Sequence, residues 1–559
     1  MSGGQNENKA RRKTLAFYLV NDMAFERLKR KMADTFMRTG ANTGLGKEYK
    51  SIFDLEDVPA FNQFYNIGIF PWKYLYRGFY KPWHLIPAPT IEDPKHKRNM
   101  AYLNMSAAIS SELAGMIWTD QCEVSVSMNG YEGEDDPLNE FVKKVLEDNN
   151  FHTKMQESIE QAAALGGHAM KTWHEIKHDR EGNEIEGTDH IRIGFAMADQ
   201  FVPTAWTNAG VEDAIFVTRQ AKGGYYYTLL EWHFWDGLTY KIRNELYRAE
   251  MKKDGVGGDQ DILGFRYPLA TLYPQLDEET EIDTEFSLFT YFRTPKANNI
   301  DDNSPLGISM YANAMDTLHA IDICFDSFVR EFRLGKKRII VPARMIRTVT
   351  DPQSGKQVRY FDATDETYEA LSTDDPDSLK IQDNSVELRV EEHVSAMNAL
   401  LNILCLQVGL SFGTFSFDAN GGLKTATEVI SENSKTYKTV KNFQNQIIPS
   451  IKSLVHAIIE VASLYDMQYN GTMIRSLKDK GYEVKVTMDD GVTQDRQTNI
   501  NEGITLVGAG LMSKYTFLTD PKFGQNLTEE DAKKELERIA SENNITMPAV
   551  DIRDFNGIE

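Results

Sequence analysis

One helical pattern is far longer than any other in the sequence and sets the scale of the fold. It begins at about Thr425 and continues to about Tyr465, and at ~1.5 Å per residue it predicts a helix roughly 60 Å long. Thr425 and Glu428 have the spacing of a capping box, in which the hydroxyl and the carboxylate each accept a backbone N–H at the helix start. Pro449 is the one interruption. Because proline removes a helical hydrogen bond, the pattern predicts one long helix with a kink.

A shorter apolar helix and a glycine-rich loop come directly before this pattern. Within 391–410, apolar residues recur at spacings of three and four and predict one apolar stripe: Val394, Met397, Leu401, Leu404 and Val408. The following loop, 411–424, contains Gly413, Gly421 and Gly422, which allow backbone angles that no helix interior uses. The sequence therefore predicts a helix, a flexible loop and a long helix in succession.

An earlier helix carries an apolar seam for packing against another helix: Ala314, Leu318, Ile321, Phe325, Phe328 and Phe332. Asp316, Asp322, Asp326 and Glu331 lie off this seam, so we expect them on a solvent-facing acidic side. Between this helix and 391–410, the residues at 335–390 predict a small α/β module with a strand, a turn and a returning strand. Because the module is inserted between two helices, its ends should lie close together.

The rest of the chain mixes helical and strand patterns. Helices are predicted at 96–118 and at 138–165, the latter broken near Asn149 and Asn150. Alternation of apolar and polar residues between His168 and Arg248 predicts the hairpin strands of a β-rich lobe. Three C-terminal helices are predicted at 495–509, 514–517 and 528–542. The predicted fold class is therefore α+β.

Charge and composition limit the possible functions. The formal net charge of −22 argues against a conventional DNA-binding protein, which would carry a basic patch. It permits contact with DNA that must slide, because a weakly interacting wall keeps a polyanion mobile; acidity that only maintains solubility is an equally open interpretation. No apolar run reaches the ~18 residues of a membrane span. Cys122, Cys324 and Cys405 suggest buried thiols in a reducing compartment.

One short motif points to a metal site. His174, Glu175 and His178 match the spacing of zinc metallopeptidases, in which both histidines face the ion from one helix. Here the flanking residues alternate and predict a strand, where positions four apart lie ~13 Å apart, too far to share an ion. We therefore expect a chance match, and the zinc metallopeptidase stays as a rival interpretation. We expect no cofactor.

Three segments together resemble the portal proteins of tailed bacteriophages: the 425–429 motif at the mouth of the long helix, the aromatic block 72–83 and the 495–542 region. The resemblance extends from about residue 60 to the C-terminus. It implies a portal fold made of an N-terminal wing (1–305), two stem helices (306–334 and 391–410), an inserted clip (335–390), a tunnel loop (411–424), a kinked wing helix (425–479) and a crown (480–559).

The resemblance also implies a function without enzymatic activity. Portal proteins form rings, typically of twelve subunits, at one capsid vertex, and dsDNA passes through the channel during packaging and ejection. The implied location is the virion, with the host cytoplasm during assembly, and no membrane. The implied partners are further copies of the chain, dsDNA, the terminase large subunit, a head–tail adaptor protein, the major capsid protein and a scaffold protein. A non-portal virion connector or scaffold protein remains the other interpretation.

Two residue sets acquire roles from this resemblance. The residues around the duplex at the constriction would be Phe412, Gly413, Thr414, Ser416, Asp418, Asn420, Gly421, Gly422 and Lys424. The clip residues that contact phosphates or the packaging motor would be Lys336, Lys337, Arg338, Arg344 and Arg347. A plain loop between helices and basic residues that balance nearby acids would explain the same residue types.

Overall fold

The computed structural model describes residues 47–59, 62–91, 93–129, 136–176, 189–251, 262–335, 339–340, 347–350, 357–360, 382–383, 387–417, 426–488, 496–520, 523 and 529–543. Its helices are α1 (Asn62–Phe64), α2 (Phe70–Tyr76), α3 (Lys81–His84), α4 (Met105–Ile117), α5 (Pro137–Asp148), α6 (Phe151–Leu165), α7 (Met315–Leu334), α8 (Val390–Val408), α9 (Ala426–Leu464), α10 (Ile474–Lys478), α11 (Arg496–Gly508), α12 (Lys514–Thr519) and α13 (Glu529–Asn543). A π-helical turn, Tyr65–Ile69, joins α1 to α2. Helices and strands are both abundant, as the α+β prediction requires.

The strands are β1 (Leu85–Pro87), β2 (Lys97–Asn99), β3 (Glu123–Met128), β4 (Gly167–Glu175), β5 (His190–Met197), β6 (Phe201–Thr207), β7 (Gly210–Lys222), β8 (Tyr225–Asp236), β9 (Thr239–Glu250), β10 (Phe265–Tyr267), β11 (Glu279–Ile282), β12 (Phe289–Arg293), β13 (Ile339–Ile340), β14 (Arg347–Thr350), β15 (Gln357–Tyr360), β16 (Gln382–Asp383), β17 (Gln468–Tyr469), β18 (Thr472–Met473) and β19 (Tyr482–Thr487).

The predicted β-rich lobe is confirmed as antiparallel sheets. The largest has the order β10-β9-β8-β7-β6, with β11 also paired to β9, and a three-stranded sheet has the order β12-β4-β5. The turn between β7 and β8 is formed by Gly223 and Gly224, with φ of 62° and 84°. Two successive positive φ angles match the right-handed twist of the flanking strands, which explains a tight hairpin at this glycine pair.

The predicted break in the helix at 138–165 is confirmed, and a side chain fixes it. α5 ends at Asp148, α6 begins at Phe151, and Asn150 has a left-handed φ of 49°. The amide of Asn149 donates to the carbonyl of Ile191 at 2.8 Å and accepts from the backbone N–H of Ile193 at 3.0 Å. The break therefore anchors β5 to the two helices.

The predicted helix at 96–118 is wrong in its first third. Lys97–Asn99 forms β2, which pairs with β1, and α4 begins only at Met105, after Asn104 in a left-handed conformation with φ of 53°. Contacts of Arg98 and Ala101 with Asp326 on α7 hold this segment in its extended form.

The long helix is confirmed as α9, a continuous helix that begins one residue after Thr425 and contains Pro449. Proline has no N–H, so the carbonyl of Asn445 lacks its helical partner; the kink itself stays a prediction. Residues Asn433–Leu464 are long and apolar enough to cross a membrane by length and composition, but 67% of the most apolar window is buried within the fold. Such burial is typical of a core helix, and Phe443, Ile451 and Ile458 are fully buried.

The described residues form two compact units. One comprises Met1–Ala419 and Lys438–Asp489, and it contains the main core as well as the pairing of β19 with β3. The other comprises Asn420–Tyr437 and Asp490–Glu559, and it contains α11, α12 and α13, which confirms the three predicted C-terminal helices. The boundaries named above for wing, stem, clip, tunnel loop and crown stay predictions.

The inserted module lies between the ends of an antiparallel helix pair, α7 and α8. Outside the hairpin of β14 and β15, β13 pairs with β16, so the described parts of the insertion are nested. At the base, the guanidinium of Arg389 donates to both carboxylate oxygens of Glu331, at 3.1 and 2.9 Å. The expectation that the ends of the insertion lie close together is therefore confirmed.

Candidate functional site

The end of α8 is built so that the chain leaves it in one defined direction. Gly409 has a left-handed φ of 89°, and its N–H and that of Leu410 both bond to the carbonyl of Cys405, at 3.1 and 2.9 Å. The hydroxyl of Thr439 on α9 donates to the Gly409 carbonyl at 2.6 Å. A Cβ on residue 409 would lie only 2.7 Å from that hydroxyl oxygen, so both conformation and space require glycine.

A lysine fixes the same helix end from another side. The ammonium of Lys296 donates to the carbonyls of Met310 and Gln407, at 2.6 and 3.0 Å. Because carbonyl groups concentrate partial negative charge at a helix C-terminus, a cation is stabilising there. Lys296 therefore joins the end of α8 to the segment that leads into α7.

The described part of the glycine-rich loop, 411–417, runs back beside α8. The N–H of Gly413 donates to the side-chain oxygen of Asn402 at 3.1 Å, and the N–H of Phe417 donates to that of Asn398 at 3.0 Å. Asn398 and Asn402 are one helical turn apart, so they hold successive points of the loop along one face of the helix. The loop thus has a defined course.

The loop presents aromatic side chains to solvent. Phe412 is 67% exposed and Phe417 is 49% exposed, whereas Phe415 packs against the core. Gly413, between the first two, has φ of 78° and open space where a side chain would lie. The described part of the loop therefore exposes two aromatic rings within six residues.

Most of the chain matches a known protein family. Residues 69–548 match the family described as phage portal protein, SPP1 Gp6-like, and this range includes α2 to α13. The chain belongs to this family of phage portal proteins. The family resemblance inferred from the sequence is therefore confirmed.

A solved structure described as the neck of an empty GTA particle, computed with C6 symmetry, is similar to this portal chain. It is 12% identical in sequence with a TM-score of 0.35, and the match covers 74% of this chain and 88% of that one. No curated protein matches the chain.

The structure places only some of the residues that the portal resemblance assigns to the tunnel loop. Phe412, Gly413, Thr414 and Ser416 lie in the described segment beside α8. The others lie outside the described residues: Asp418, Asn420, Gly421, Gly422, Lys424 and the capping Thr425. Glu428 lies in the first turn of α9. The sequence prediction missed Asn398 and Asn402, although two amides spaced four apart in an apolar helix before a glycine-rich loop could have indicated them.

The basic residues assigned to the clip of the portal protein are mostly outside the described residues: Lys336, Lys337, Arg338 and Arg344. Arg347 is the first residue of β14, opposite Tyr360 in the hairpin. Their contacts with phosphates or a motor stay a prediction.

The acidic side of α7 corrects an expectation. Asp322 and Asp326 are each only 7% exposed, not solvent-facing. Asp326 accepts two hydrogen bonds from the guanidinium of Arg98, at 2.8 and 2.5 Å, and one from the N–H of Ala101 at 3.0 Å. The hydrogen bond from Arg98 lowers the pKa of Asp326 below its ordinary value. Residues one turn apart on α7 thus bind a segment more than 200 positions earlier, which the spacing alone could not reveal.

Asp322 and Asp326, with the groups that donate hydrogen bonds to them, form a clamp between α7 and an earlier segment of the chain. Asp322 accepts from the N–H of Leu103 at 2.9 Å, and its other oxygen lies 3.1 Å from Nε2 of His84. The N–H of Tyr80 donates to Nδ1 of His84 at 2.9 Å, so the ring proton is on Nε2 and is donated to the carboxylate. Together the two aspartates join α7 to the segment from α3 to the start of α4.

The first histidine of the peptidase-like motif lies on a strand and not on a helix. His174 lies on strand β4, as predicted, where it is stacked on Tyr465 with ring centres 4.0 Å apart. Its Nε2 lies 3.1 Å from a carboxylate oxygen of Asp189. His178 lies outside the described residues. Among the described residues of this portal chain, no group of three or more His, Cys, Asp or Glu side chains could hold a metal ion.

Proposed function

We propose that this chain is one subunit of a ring at a single vertex of a phage capsid, and that duplex DNA passes through the ring during packaging and ejection. The family match over residues 69–548 carries this proposal, since it includes α7, α8, the described loop and α9. The ring would contain twelve subunits in the virion and would assemble in the host cytoplasm. Its role would be mechanical, with no catalytic step and no cofactor.

The loop at 411–424 would face the channel as its constriction. The described part supports this role, because residues 411–417 carry no charged side chain and expose Phe412 and Phe417. Rings and hydroxyls can contact a duplex without forming the ion pairs that would hold its phosphates in place. A net charge of −22 for the whole chain is compatible with DNA that slides.

The hydrogen bonds to Asn398 and Asn402 would let the loop respond to moving DNA. Each exposed hydrogen bond contributes only about 1 kcal/mol, because water replaces it when it breaks. The loop can therefore leave the face of α8 as a duplex advances and return to it afterwards. The joint at Gly409 and Lys296 would keep the base of the loop fixed during this motion.

The insertion at 335–390 would form the clip that receives the terminase large subunit and later the head–tail adaptor protein. The base of the insertion is held by Glu331 and Arg389, so the module would project from a firm support. Its basic residues, Lys336, Lys337, Arg338, Arg344 and Arg347, would supply contacts with phosphates or the motor. The major capsid protein and the scaffold protein would be further partners of the ring.

DNA packaging into capsids that carry a loop-deletion variant of the chain tests this function. We expect a chain lacking residues 413–421 to form rings and to be built into capsids, but to leave those capsids empty of nuclease-protected DNA. A matched control substitutes Leu238, an exposed residue in the turn between β8 and β9, by serine and should package normally. Normal DNA filling with the deletion variant would contradict the proposed role of the loop.

A further inference from the structure

One edge of the three-stranded sheet is unpaired within the described part of the chain. β12 is the outer strand, since the order is β12-β4-β5. The N–H of Thr172 donates to the carbonyl of Leu288 at 3.0 Å, and six residues later on this side the N–H of Thr294 donates to the carbonyl of Gly166, also at 3.0 Å. In an antiparallel pair every second residue bonds to the partner strand, and the residues between them point their backbone groups outward. Three residues of β12 therefore point their N–H and C=O groups away from β4: Phe289, Tyr291 and Arg293.

These outward backbone groups line a groove. A cavity of ≈ 710 Å³ is lined by all five residues of β12. Because successive side chains of a strand point to opposite faces, a cavity that all five residues line runs along the edge of the strand. No other described residue is hydrogen-bonded to the N–H or C=O groups of Phe289, Tyr291 and Arg293. An unpaired edge of this kind is a template for a further strand.

The helix α9 forms one wall of the groove. The hydroxyls of Thr290 on β12 and Ser450 on α9 lie 2.8 Å apart, so this wall covers the sheet face on which Thr290 lies. Gln446 and Ser453 extend the wall by one turn to either side of Ser450. The helix thus offers hydroxyl and amide groups to an occupant of the groove.

The hairpin of β6 and β7 forms the opposite wall. Phe289 lies on the other face of β12 and packs against Phe201 of β6, with ring centres 6.0 Å apart. Trp206 and Val211 are paired across the hairpin and line the groove on this side. They give this wall an apolar surface. A strand added beside β12 would therefore alternate its side chains between a polar wall and an apolar wall.

The lining of the groove carries little charge. Arg293 and Asp302 are the two charged residues among those that line it. An occupant that fits is thus an extended, uncharged segment with large apolar side chains on one side and small or hydroxyl-bearing side chains on the other. Main-chain hydrogen bonds would hold it, and the two walls would select its side chains.

One stretch of this chain that lies outside the described residues has this pattern. Residues 14–20 contain no charged side chain, and three large apolar residues alternate in them: Leu15, Phe17 and Leu19. The residues between these are small or carry a hydroxyl: Thr14, Ala16 and Tyr18. The described chain begins at residue 47, and at ~3.4 Å per residue the connection 21–46 can span up to ~90 Å. The segment can therefore reach the groove of its own copy.

We propose that residues 14–20 bind in this groove as a fourth strand beside β12. Leu15, Phe17 and Leu19 would face Trp206 and Val211, and the residues between them would face α9. The added strand would join the sheet, the β6–β7 hairpin and α9, and it would keep other extended peptides out of the groove. This inference does not depend on the proposed ring.

Disulfide cross-linking of the full-length chain tests which wall each residue faces. The background is Cys324→Ser, which removes the half-buried native thiol. One cysteine is placed on the apolar wall as Val211→Cys or on the α9 wall as Ser453→Cys. The second cysteine is placed in turn at each position from 15 to 19. Because a disulfide needs Cβ atoms within ~4.5 Å, we expect the odd positions to cross-link only to the apolar wall and the even positions only to the α9 wall.

Each wall is the matched control for the other. Bridges that follow this alternation and form within one chain support the inference. Bridges between two chains would overturn the assignment to the same copy, because the segment would then come from a second copy. Absence of bridges at both walls, or bridges without alternation, would overturn the added strand.

Hydrogen–deuterium exchange tests the same strand through its backbone. In the full-length chain, the N–H groups of Phe289, Tyr291 and Arg293 should exchange at least about tenfold more slowly than in a chain that lacks residues 1–21, because the fourth strand supplies their acceptors. The N–H of Leu230, in the central strand β8, should exchange equally slowly in both chains and shows that the truncated chain is folded. Equal exchange of the β12 groups in the two chains would overturn the inference.

Discussion

The side-chain oxygen of Asn402 accepts a hydrogen bond from the backbone N–H of Gly413, at an N···O distance of 3.1 Å. One turn earlier on the same helix, Asn398 accepts from Phe417 in the same way. Together with the joint at Gly409, these contacts give the beginning of a glycine-rich loop a fixed course beside α8. They also connect the exposed aromatic rings of the loop to a helix that packs in the core.

Removal of these amide contacts should loosen the loop without unfolding the chain. We expect the Asn398→Ala/Asn402→Ala variant to exchange the amide hydrogens of Gly413 and Phe417 about tenfold faster, since each lost hydrogen bond costs about 1 kcal/mol. Hydrogen–deuterium exchange with mass spectrometry measures this change. The control variant Asn398→Asp/Asn402→Asp keeps the accepting oxygens and should keep the slower exchange; equal exchange in all three chains would refute the role of the asparagines.

Alanine at two glycines of this segment should have different costs. Gly409 and Gly413 both have positive φ, so each alanine substitution is strained by about 1 kcal/mol. At Gly409 the new methyl group also meets the hydroxyl of Thr439, whereas at Gly413 it enters open space. We expect Gly409→Ala to lower the free energy of unfolding by at least about 1 kcal/mol more than Gly413→Ala, measured by urea denaturation. Equal losses would contradict the close approach of Thr439.

The buried carboxylate of Asp326 should be essential for stability. Asp326→Ala removes the partner of both the Arg98 guanidinium and the Ala101 N–H, so we expect a loss of about 2–4 kcal/mol in the free energy of unfolding. Ser327→Ala is the matched control on the exposed side of α7 and should change stability by less than about 0.5 kcal/mol. If both variants lost a similar amount of the free energy of unfolding, the loss would come from any substitution on α7. That result would contradict a specific role of the Asp326 carboxylate.

His168 should make the fold sensitive to acid. Burial lowers the pKa of His168 from an ordinary value of 6.5 to about 3 in the fold, so the unfolded chain binds the proton first as the pH falls. His168 therefore lowers the free energy of unfolding progressively from about pH 6.5 to about pH 3, and its full contribution is present above pH 6.5.

The His168→Gln variant tests this dependence, because it removes the titrating group. Between pH 5.5 and pH 4, its free energy of unfolding should fall less steeply than that of the unchanged chain, by up to about 1.4 kcal/mol per pH unit. Urea denaturation at a series of pH values measures both slopes. Parallel curves over this interval would contradict the burial of an uncharged His168 ring.

Periodicity predicted the elements whose burial is local and repetitive. The apolar stripe from Met397 to Val408 predicted α8, and the approximate start of α9 followed from its capping pattern, because each depends on neighbours within one or two turns. The sequence predictions were wrong where contacts between residues far apart in the sequence determine the local structure. Lys97–Asn99 is a strand and Asp326 is buried because Arg98 binds that carboxylate from 228 positions away. The course of the loop likewise depends on hydrogen bonds to the side chains of Asn398 and Asn402, which the periodicity of apolar residues does not report.

Cryo-electron microscopy of the purified full-length chain tests the central claim most directly. We expect closed rings with a central channel, in which residues 411–417 of every copy face the shared axis. A monomer, a filament or a closed shell would contradict the account, and so would a ring in which Phe412 and Phe417 point away from the axis.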